Sequence, residues 1–251
     1  MFGKHTSKSF DASLDAALQT FLTMGHMAVG QVSRSMQALA KNDAALATDV
    51  IDSDAKINAF ERDIDEQVVN LVARRQPTAN DLRFIICLSK GVVDIERIGD
   101  EAVKIARLVL QNSSLLAEGG RSEHDYQHQA LADKVRLMVV DALEAFRHQD
   151  ARLAFEVMQM DEVIDSEYRA AIDVLRTQEL DNDEVIQVLW VLRALERIGD
   201  HARNLAEFVV YLGSGTDVRH TSFSDVEEAV EVAQDRFEQG RADKSLSSAD
   251  E

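Results

Sequence analysis

Four acidic side chains in two matching segments are the residues of this sequence best suited to chemistry. The segment 96–100 reads Glu-Arg-Ile-Gly-Asp, and the segment 196–200 repeats it residue for residue. In each segment the two carboxylates lie four positions apart, which places them on one face of a helix about 6 Å apart at Cβ. Like charges at this spacing destabilise a helix by roughly a few tenths of a kcal/mol. A cation is therefore expected beside each pair.

One cation that fits is a hard metal ion. Such ions prefer carboxylate and amide oxygens, which neighbouring helices of a bundle can supply together. A second predicted helix in each half carries a polar pair at the same four-residue spacing. The expected metal ligands are Asp54, Asn58, Glu96 and Asp100 in the first half and Asp161, Asp165, Glu196 and Asp200 in the second. The second set has the larger number of carboxylates, so it is expected to bind metal more strongly.

Arginine side chains are the alternative counter-charges. Ordinary ion pairs would neutralise the same carboxylates without any metal. Arg97 is expected to pair with Glu101 on its own helix, four positions away. The other candidates are Arg74, Arg75 and Arg83 in the first half and Arg193 in the second. The sequence leaves both explanations open.

Several single residues carry weaker signals. Gly99 and Gly199 each cost a helix roughly 1 kcal/mol relative to alanine, which suggests a close approach that a Cβ would obstruct. Cys87 lies in an apolar string and is expected to be a small buried residue. His26 and His201 are possible extra ligands, with a structural role as the simpler interpretation. Trp190 lies among apolar residues and is expected in the core.

The elements that must position these residues are helices. Apolar residues recur at intervals of three and four, which is the period of one face of an α-helix. The pattern predicts three helices before a Ser, Asn and Gly-rich stretch at 111–120, with Pro77 between the second and the third, and three more after it. Asp43, Asp150 and Asp181 are predicted helix caps. The expected organisation is a first three-helix bundle at 1–113, a linker at 114–120, a second bundle at 121–215 and a polar tail at 216–251 that is largely disordered at its end.

Composition excludes several classes of protein. The chain of 251 residues has 27 Lys plus Arg against 45 Asp plus Glu, a formal net charge of −18, which disfavours binding to nucleic acid or to an anionic membrane surface. One proline and 11 glycines do not suit an all-β fold. The N-terminal region lacks the apolar core of a secretory signal, and no apolar run approaches the roughly 18 residues of a membrane span. A cytoplasmic protein without direct membrane insertion is expected.

Three stretches of sequence together resemble one known family. They are the duplicated Glu-Arg-Ile-Gly-Asp block, the run from Ala73 to Arg83 and the segment Asp217-Val218-Arg219-His220. These closely resemble the PhoU family of phosphate-specific transport system accessory proteins, and the likeness covers nearly the whole chain. The resemblance implies an all-α fold of two tandem, structurally repeated three-helix bundles. It also implies iron, manganese, zinc or magnesium at the acidic motifs, although Asn58 departs from the acidic pattern.

The resemblance also implies a function. Such a protein would be a non-enzymatic negative regulator of the phosphate regulon and a modulator of phosphate uptake. It would act as a cytoplasmic adaptor between the ATPase subunit of the phosphate ABC transporter and the sensor histidine kinase, near the inner membrane through these partners, and commonly as a homodimer.

Two other classes of function remain as alternatives. A carboxylate-bridged di-metal enzyme could be built in a helical bundle, but it usually draws on Glu-x-x-His motifs, and Glu96 and Glu196 are each followed at the third position by glycine. A purely structural helical scaffold would have no specific need for the repeated carboxylates.

Overall fold

Seven helices account for the secondary structure of the described part of the chain. The structure is a computed structural model that describes residues 8–75, 77, 79–111, 123–178 and 180–248. The helices are α1 (Lys8–Lys41), α2 (Ala44–Arg75), α3 (Ala79–Gln111), α4 (Glu123–His148), α5 (Ala151–Leu175), α6 (Asn182–Ser214) and α7 (Phe223–Ser248), and these residues contain no strand. The all-α prediction is confirmed.

The helix boundaries lie where the capping residues predict them. The carboxylate of Asp43 accepts a hydrogen bond from the backbone N–H of Leu46, at 2.9 Å, and starts α2. Asp150 caps α5 in the same way, and Asp181 forms a reciprocal capping box with Glu184 at the start of α6. Gly215 ends α6 in the left-handed conformation, with φ of 80°. The predicted linker at 114–120 lies outside the described residues.

The six predicted helices form two three-helix units, α1–α3 and α4–α6. The central helices α3 and α6 pack against each other, and α1 also contacts α4. One continuous apolar core joins the units: the rings of Phe21 in α1 and Phe146 in α4 lie 4.7 Å apart between their centroids. The repeat therefore divides the sequence into two units that share a core. None of the described helices is long and apolar enough to cross a membrane.

A seventh helix takes the place of the tail that was expected to be disordered at its end. Helix α7 reaches Ser248 and packs on α6 and α5. Over the part of α7 whose burial is described, the buried apolar side chains are few and small: Val226, Ala229, Val230 and Ala233. Because so short a stripe lies among many acidic residues, it does not stand out in the sequence. Helix α7 thus covers most of the predicted polar tail.

Trp190 is one expectation that the fold overturns. Its side chain is 58% exposed, while Val191 and Leu192 beside it are buried. The packing of α6 against its neighbours covers one part of the helix surface, and Trp190 lies outside that part. An apolar stretch of sequence shows that a helix is central, but it does not show which of its positions are covered.

Candidate metal centres

The first acidic cluster lies between α2 and α3. Burial is the main cause that raises the pKa of Asp54, and repulsion from Asp100 adds to it. Burial likewise raises the pKa of Glu96, followed by repulsion from Asp100. Asn58 Nδ2 donates a hydrogen bond to Asp54 Oδ2 at 3.2 Å. The charged forms of these carboxylates are thus disfavoured, and a cation among them would relieve the repulsion.

Arg97 is a distant counter-charge for this cluster. Its Nε lies 3.5 Å from Glu96 Oε2, and its Nη1 lies 3.9 Å from Asp100 Oδ2. The side chain of Arg97 is 52% exposed, so water screens both contacts. The expected pair of Arg97 with Glu101 is not what the structure shows, because Glu101 pairs with Lys104 and with Arg197 instead.

Gln31 in α1 is a polar neighbour of this cluster that sequence analysis missed. The residue is 1% exposed, and its Oε1 is buried and accepts no hydrogen bond from the described residues. A Cβ added at Gly99 would lie 2.9 Å from this oxygen and 3.4 Å from Asp54 Oδ1. The glycine thus makes room for oxygens from two other helices. The available signal was Gln31 together with Ser35, two buried polar residues four apart on the apolar face of α1.

The second acidic cluster, between α5 and α6, is bound to arginines. Burial is again the main cause that raises the pKa of Asp161, Glu196 and Asp200, and repulsion from Asp165 contributes at each of them. Three arginines donate hydrogen bonds to the cluster. Arg203 Nη1 donates to Asp161 Oδ2 at 2.9 Å, Arg193 Nη1 to both Glu196 Oε1 and Oε2 at 2.6 Å, and Arg169 Nη2 to Asp165 Oδ2 at 2.9 Å.

Gly199 differs from Gly99 in its surroundings. A Cβ added there would lie 3.5 Å from Ile164 Cγ2 and 3.7 Å from Asp161 Oδ1, which are ordinary van der Waals distances. The close approach predicted for both glycines is therefore confirmed at Gly99 and wrong at Gly199. The two repeats share a sequence motif but differ in how tightly the second helix packs on it.

The remaining candidate residues have structural roles. The ion pair predicted for Arg193 is confirmed. Arg83 donates a hydrogen bond to the backbone oxygen of Leu212, and its guanidinium lies over the ring of Tyr211. It therefore stabilises the contact between α3 and α6. His26 Nδ1 lies 2.6 Å from the backbone oxygen of Leu22. The other candidate positions fall as follows: Arg74 is exposed, the side chain of Arg75 lies outside the described residues, Cys87 is buried, and His201 contacts Asp94.

The donor chemistry of the first cluster fits a hard cation better than that of the second. Three carboxylates, an amide and a buried carbonyl oxygen without a partner are all oxygen ligands. Within the described ranges, no group of three or more His, Cys, Asp or Glu side chains is arranged to hold a metal ion. The carboxylates would therefore have to rotate toward one another to share an ion.

Comparison with known proteins identifies the family. The family model of the PhoU domain matches residues 21–109 and, a second time, residues 129–209. The chain belongs to the PhoU family. Each match covers most of one three-helix unit, so the unit seen in the structure is the PhoU domain. Each predicted acidic segment lies in the third helix of its unit, α3 or α6.

Individual PhoU proteins are similar over most of the chain. The phosphate-specific transport system accessory protein PhoU homolog of Pseudomonas putida is 48% identical over 221 residues, which are 86% of this chain and 85% of the relative. The crystal structure of PhoU from Pseudomonas aeruginosa is 43% identical and superposes with a TM-score of 0.77, covering 83% of this chain and 100% of that one. The crystal structure of the phosphate transport system regulatory protein PhoU from Streptococcus pneumoniae is 33% identical, with a TM-score of 0.76, covering 84% of this chain and 99% of that one.

Proposed function

We propose that this PhoU protein is a negative regulator of the phosphate regulon and a modulator of phosphate uptake. It would link the ATPase subunit of the phosphate ABC transporter to the sensor histidine kinase. The observation that carries the proposal is the similarity, over most of both chains, to proteins named as accessory or regulatory proteins of phosphate transport. The relatives' names describe no enzyme, which agrees with recognition rather than turnover.

The proposed adaptor would work through its surface. When phosphate is plentiful, contact with the transporter would let it hold the kinase in an inactive or phosphatase-biased state. Apolar side chains that are exposed on both units could contribute to such contacts and to a homodimer. Among the described residues these include Val69, Val72, Val93, Leu137, Val163 and Ile186. Through these partners, the protein would associate peripherally with the inner membrane from the cytoplasm.

A deletion strain tests the regulatory proposal. Loss of the protein should leave the phosphate regulon expressed in phosphate-rich medium, as measured with a promoter reporter, and a plasmid copy of the gene should restore repression. Normal repression in the deletion strain would refute the proposal. A pull-down from detergent-solubilised membranes, with tagged ATPase subunit and tagged kinase as separate baits, then tests each partner. Failure with both baits would refute the adaptor part alone.

We also propose that the acidic clusters bind a divalent or trivalent metal, such as iron, manganese, zinc or magnesium. The arginines on Asp161, Asp165 and Glu196 compete with metal in the second cluster. In the first cluster the described counter-charges are weaker: Arg97 Nε lies 3.5 Å from Glu96 Oε2, and attraction to Arg107 lowers the pKa of Asp54 less than burial raises it. This competition favours the first cluster, which is opposite to the order expected from the number of carboxylates.

Thermal melting with added Mn²⁺ tests both the metal sites and their order. A metal that binds only the folded state stabilises it by about 2.7 kcal/mol at 100 times its Kd. The double variant Glu96→Gln with Asp100→Asn should lose more of this gain than Glu196→Gln with Asp200→Asn. If the double variant of Glu196 and Asp200 loses more of the stabilisation by metal, the second cluster binds metal more strongly, as the number of carboxylates predicts. If Mn²⁺ does not change the melting temperature of the wild type, the carboxylates act only as ion-pair partners.

A further inference from the structure

A cavity lined by cations lies between the C-terminal half of α3 and the N-terminal half of α6, next to the second acidic cluster. Its volume is about 230 Å³. Four cationic side chains line it, with one carboxylate and the exposed indole at its edge: Lys104, Arg107, Arg193, Arg197, Glu101 and Trp190. In a chain with a net charge of −18, such a concentration of positive charge is a local exception.

The internal repeat shows what is missing from this cavity. Helices α3 and α6 run antiparallel, and each position of the repeat in α3 corresponds to the position 100 residues later in α6. A contact of position 94 with positions 201 and 204 should therefore have a counterpart, in which position 194 contacts positions 101 and 104. In the first arrangement the buried Asp94 carboxylate lies 2.8 Å from His201 Nδ1 and accepts a hydrogen bond from Asn204 Nδ2 at 2.8 Å. In the counterpart, alanine occupies position 194 and lines the cavity. The carboxylate of Asp94 therefore has no counterpart at position 194, where the side chain is a methyl group.

The cationic side chains around the cavity are only partly neutralised by carboxylates. Glu101 has a side chain that is 3% exposed, and it binds both Lys104 Nζ at 2.8 Å and Arg197 Nε at 3.1 Å. One buried carboxylate thus serves two cations. Arg193 binds Glu196, Asp200 attracts Arg193 and Arg197, and Asp54 attracts Arg107. A guanidinium has five N–H donors, so these contacts leave donors that can face an anion in the cavity.

Trp190 adds an aromatic surface to the cationic site. Its indole is 58% exposed at the edge of the cavity. Flat aromatic rings stack well on tryptophan, and a base stacked on an aromatic side chain contributes about 1–3 kcal/mol. The cavity is smaller than the ~300–1,000 Å³ of sites that enclose a whole drug-sized ligand. It can therefore hold a phosphate group while a ring attached to that group lies outside, on the indole.

We propose that this cavity binds a nucleoside phosphate, with its phosphate among Lys104, Arg107 and Arg197 and its base on Trp190. The single charge cluster suits a small anion, whereas the net charge of −18 repels a polynucleotide. The proposal does not depend on the adaptor function or on the metal sites, because it uses none of the predicted metal ligands.

Trp190 is the one tryptophan of the chain, so its fluorescence reports directly on this site. The full-length protein is titrated in chelator with ADP, adenosine and inorganic phosphate in separate arms. ADP should quench the fluorescence saturably. Adenosine and phosphate should each bind at least about tenfold more weakly, a difference that corresponds to about 1.4 kcal/mol. Calorimetry on Trp190→Phe measures the weaker affinity expected when stacking is reduced.

Charge variants test the cationic part of the site. Lys104→Gln with Arg107→Gln should weaken ADP binding by tenfold or more. Arg107→Gln alone, which keeps both cations on Glu101, should weaken it in the same direction and guards against a loss of folding. The matched control is Lys90→Gln with Arg62→Gln, two exposed residues outside the cavity, and it should leave the affinity unchanged.

Three results would overturn the proposal. The first is the absence of saturable ADP binding by both fluorescence and calorimetry. The second is phosphate binding as tight as ADP binding, which would make the cavity a simple anion site. The third is an equal loss of affinity in the control variant, which would assign the effect to overall charge.

Discussion

At the scale of single residues, the two acidic clusters differ in their counter-charges. The motif Glu-Arg-Ile-Gly-Asp is the same in both, yet Glu196 receives a short hydrogen bond from Arg193, and Glu96 has the partly exposed Arg97 at 3.5 Å. The residue that corresponds to Arg193 in the first repeat is Val93, which cannot supply a charge. The first cluster therefore keeps more unrelieved repulsion in the absence of metal.

Glu96→Gln should therefore stabilise the metal-free protein at neutral pH. The folded-state pKa of Glu96 is raised above its unfolded value of about 4.3, so the folded state binds more protons and loses stability as pH rises between the two values. The gain should be roughly 0.2–0.5 kcal/mol, the size of one like-charge pair at four-residue spacing. It should be present at neutral pH and decrease as the pH falls through the folded-state pKa, because protonation of the native carboxyl removes the repulsion.

Urea unfolding in chelator at several pH values measures this effect. Glu66→Gln on α2 is the control, since Glu66 is exposed, and it should change stability little at any pH. A destabilised Glu96→Gln variant at neutral pH would mean that Arg97 or another contact outweighs the repulsion.

At the scale of helices, glycines mark how closely two helices approach. Gly99 allows the side chains of Gln31 and Ile57 to reach α3, while Gly199 leaves ordinary space beside Ile164. Gly213 allows α7 to reach α6, because an added Cβ would lie 2.5 Å from Ala233 Cβ and 2.8 Å from its Cα. Arg236 of α7 also donates to the backbone oxygens of Gly213 and Ser214, at 3.0 and 2.7 Å. Helix α7 thus packs on the C-terminus of α6 and donates hydrogen bonds to its last carbonyl groups.

Alanine at the two repeated glycines should have opposite effects. Gly199→Ala should stabilise the protein by up to about 1 kcal/mol, because the helix gains propensity and the methyl group fits. Gly99→Ala should lose that gain and destabilise, because the methyl group would press on the buried Gln31. Chemical denaturation of both variants gives the comparison. Equal stabilisation of the two would show that the side chain of Gln31 is free to move away from Gly99.

Gly213→Ala should destabilise the protein by about 1–3 kcal/mol, the usual cost of overpacking a close contact. The neighbouring atom is backbone of α7, which can yield only if the helix moves. Gly30→Ala is the matched control, since an added Cβ there meets nothing within 4 Å, and it should be neutral or stabilising. A neutral Gly213→Ala, by thermal melting, would indicate that α7 does not dock tightly in solution.

At the scale of the whole molecule, the two PhoU domains are held together by a polar contact within an apolar core. Asp94 of α3 is nearly buried and contacts His201 and Asn204 of α6. Glu101 and Arg197 pair on the other side of the same helix pair. Polar groups of this kind fix how two apolar helices are aligned, because each misaligned arrangement leaves a buried group without a partner.

Asp94→Ala should destabilise the protein by about 1–3 kcal/mol, because the partners of the carboxylate stay partly buried without it. A double-mutant cycle with Asn204→Ala separates the contact between the two residues from the loss of either one. The coupling energy from urea unfolding should be clearly positive. Additive effects would place the cost of Asp94→Ala elsewhere than in its contact with Asn204.

The sequence by itself determined the local features. Apolar periodicity identified α1 to α6, and Asp43, Asp150 and Asp181 identified three of their starts, because a period and a cap depend on residues within a few positions of one another. The duplicated Glu-Arg-Ile-Gly-Asp block identified the repeat and the family for the same reason. The short buried stripe of α7 was too weak a local signal.

Only the tertiary structure decided which side chains meet. Arg203 reaches Asp161 from 42 positions away, Gln31 comes beside Gly99 from another helix, and Trp190 lies uncovered at a cavity next to Lys104. These outcomes depend on the rotation and depth at which one helix packs on another. Helix period gives the apolar face of each helix but leaves its exact partner positions open, so counter-charges and cavities arise only when all the helices have packed.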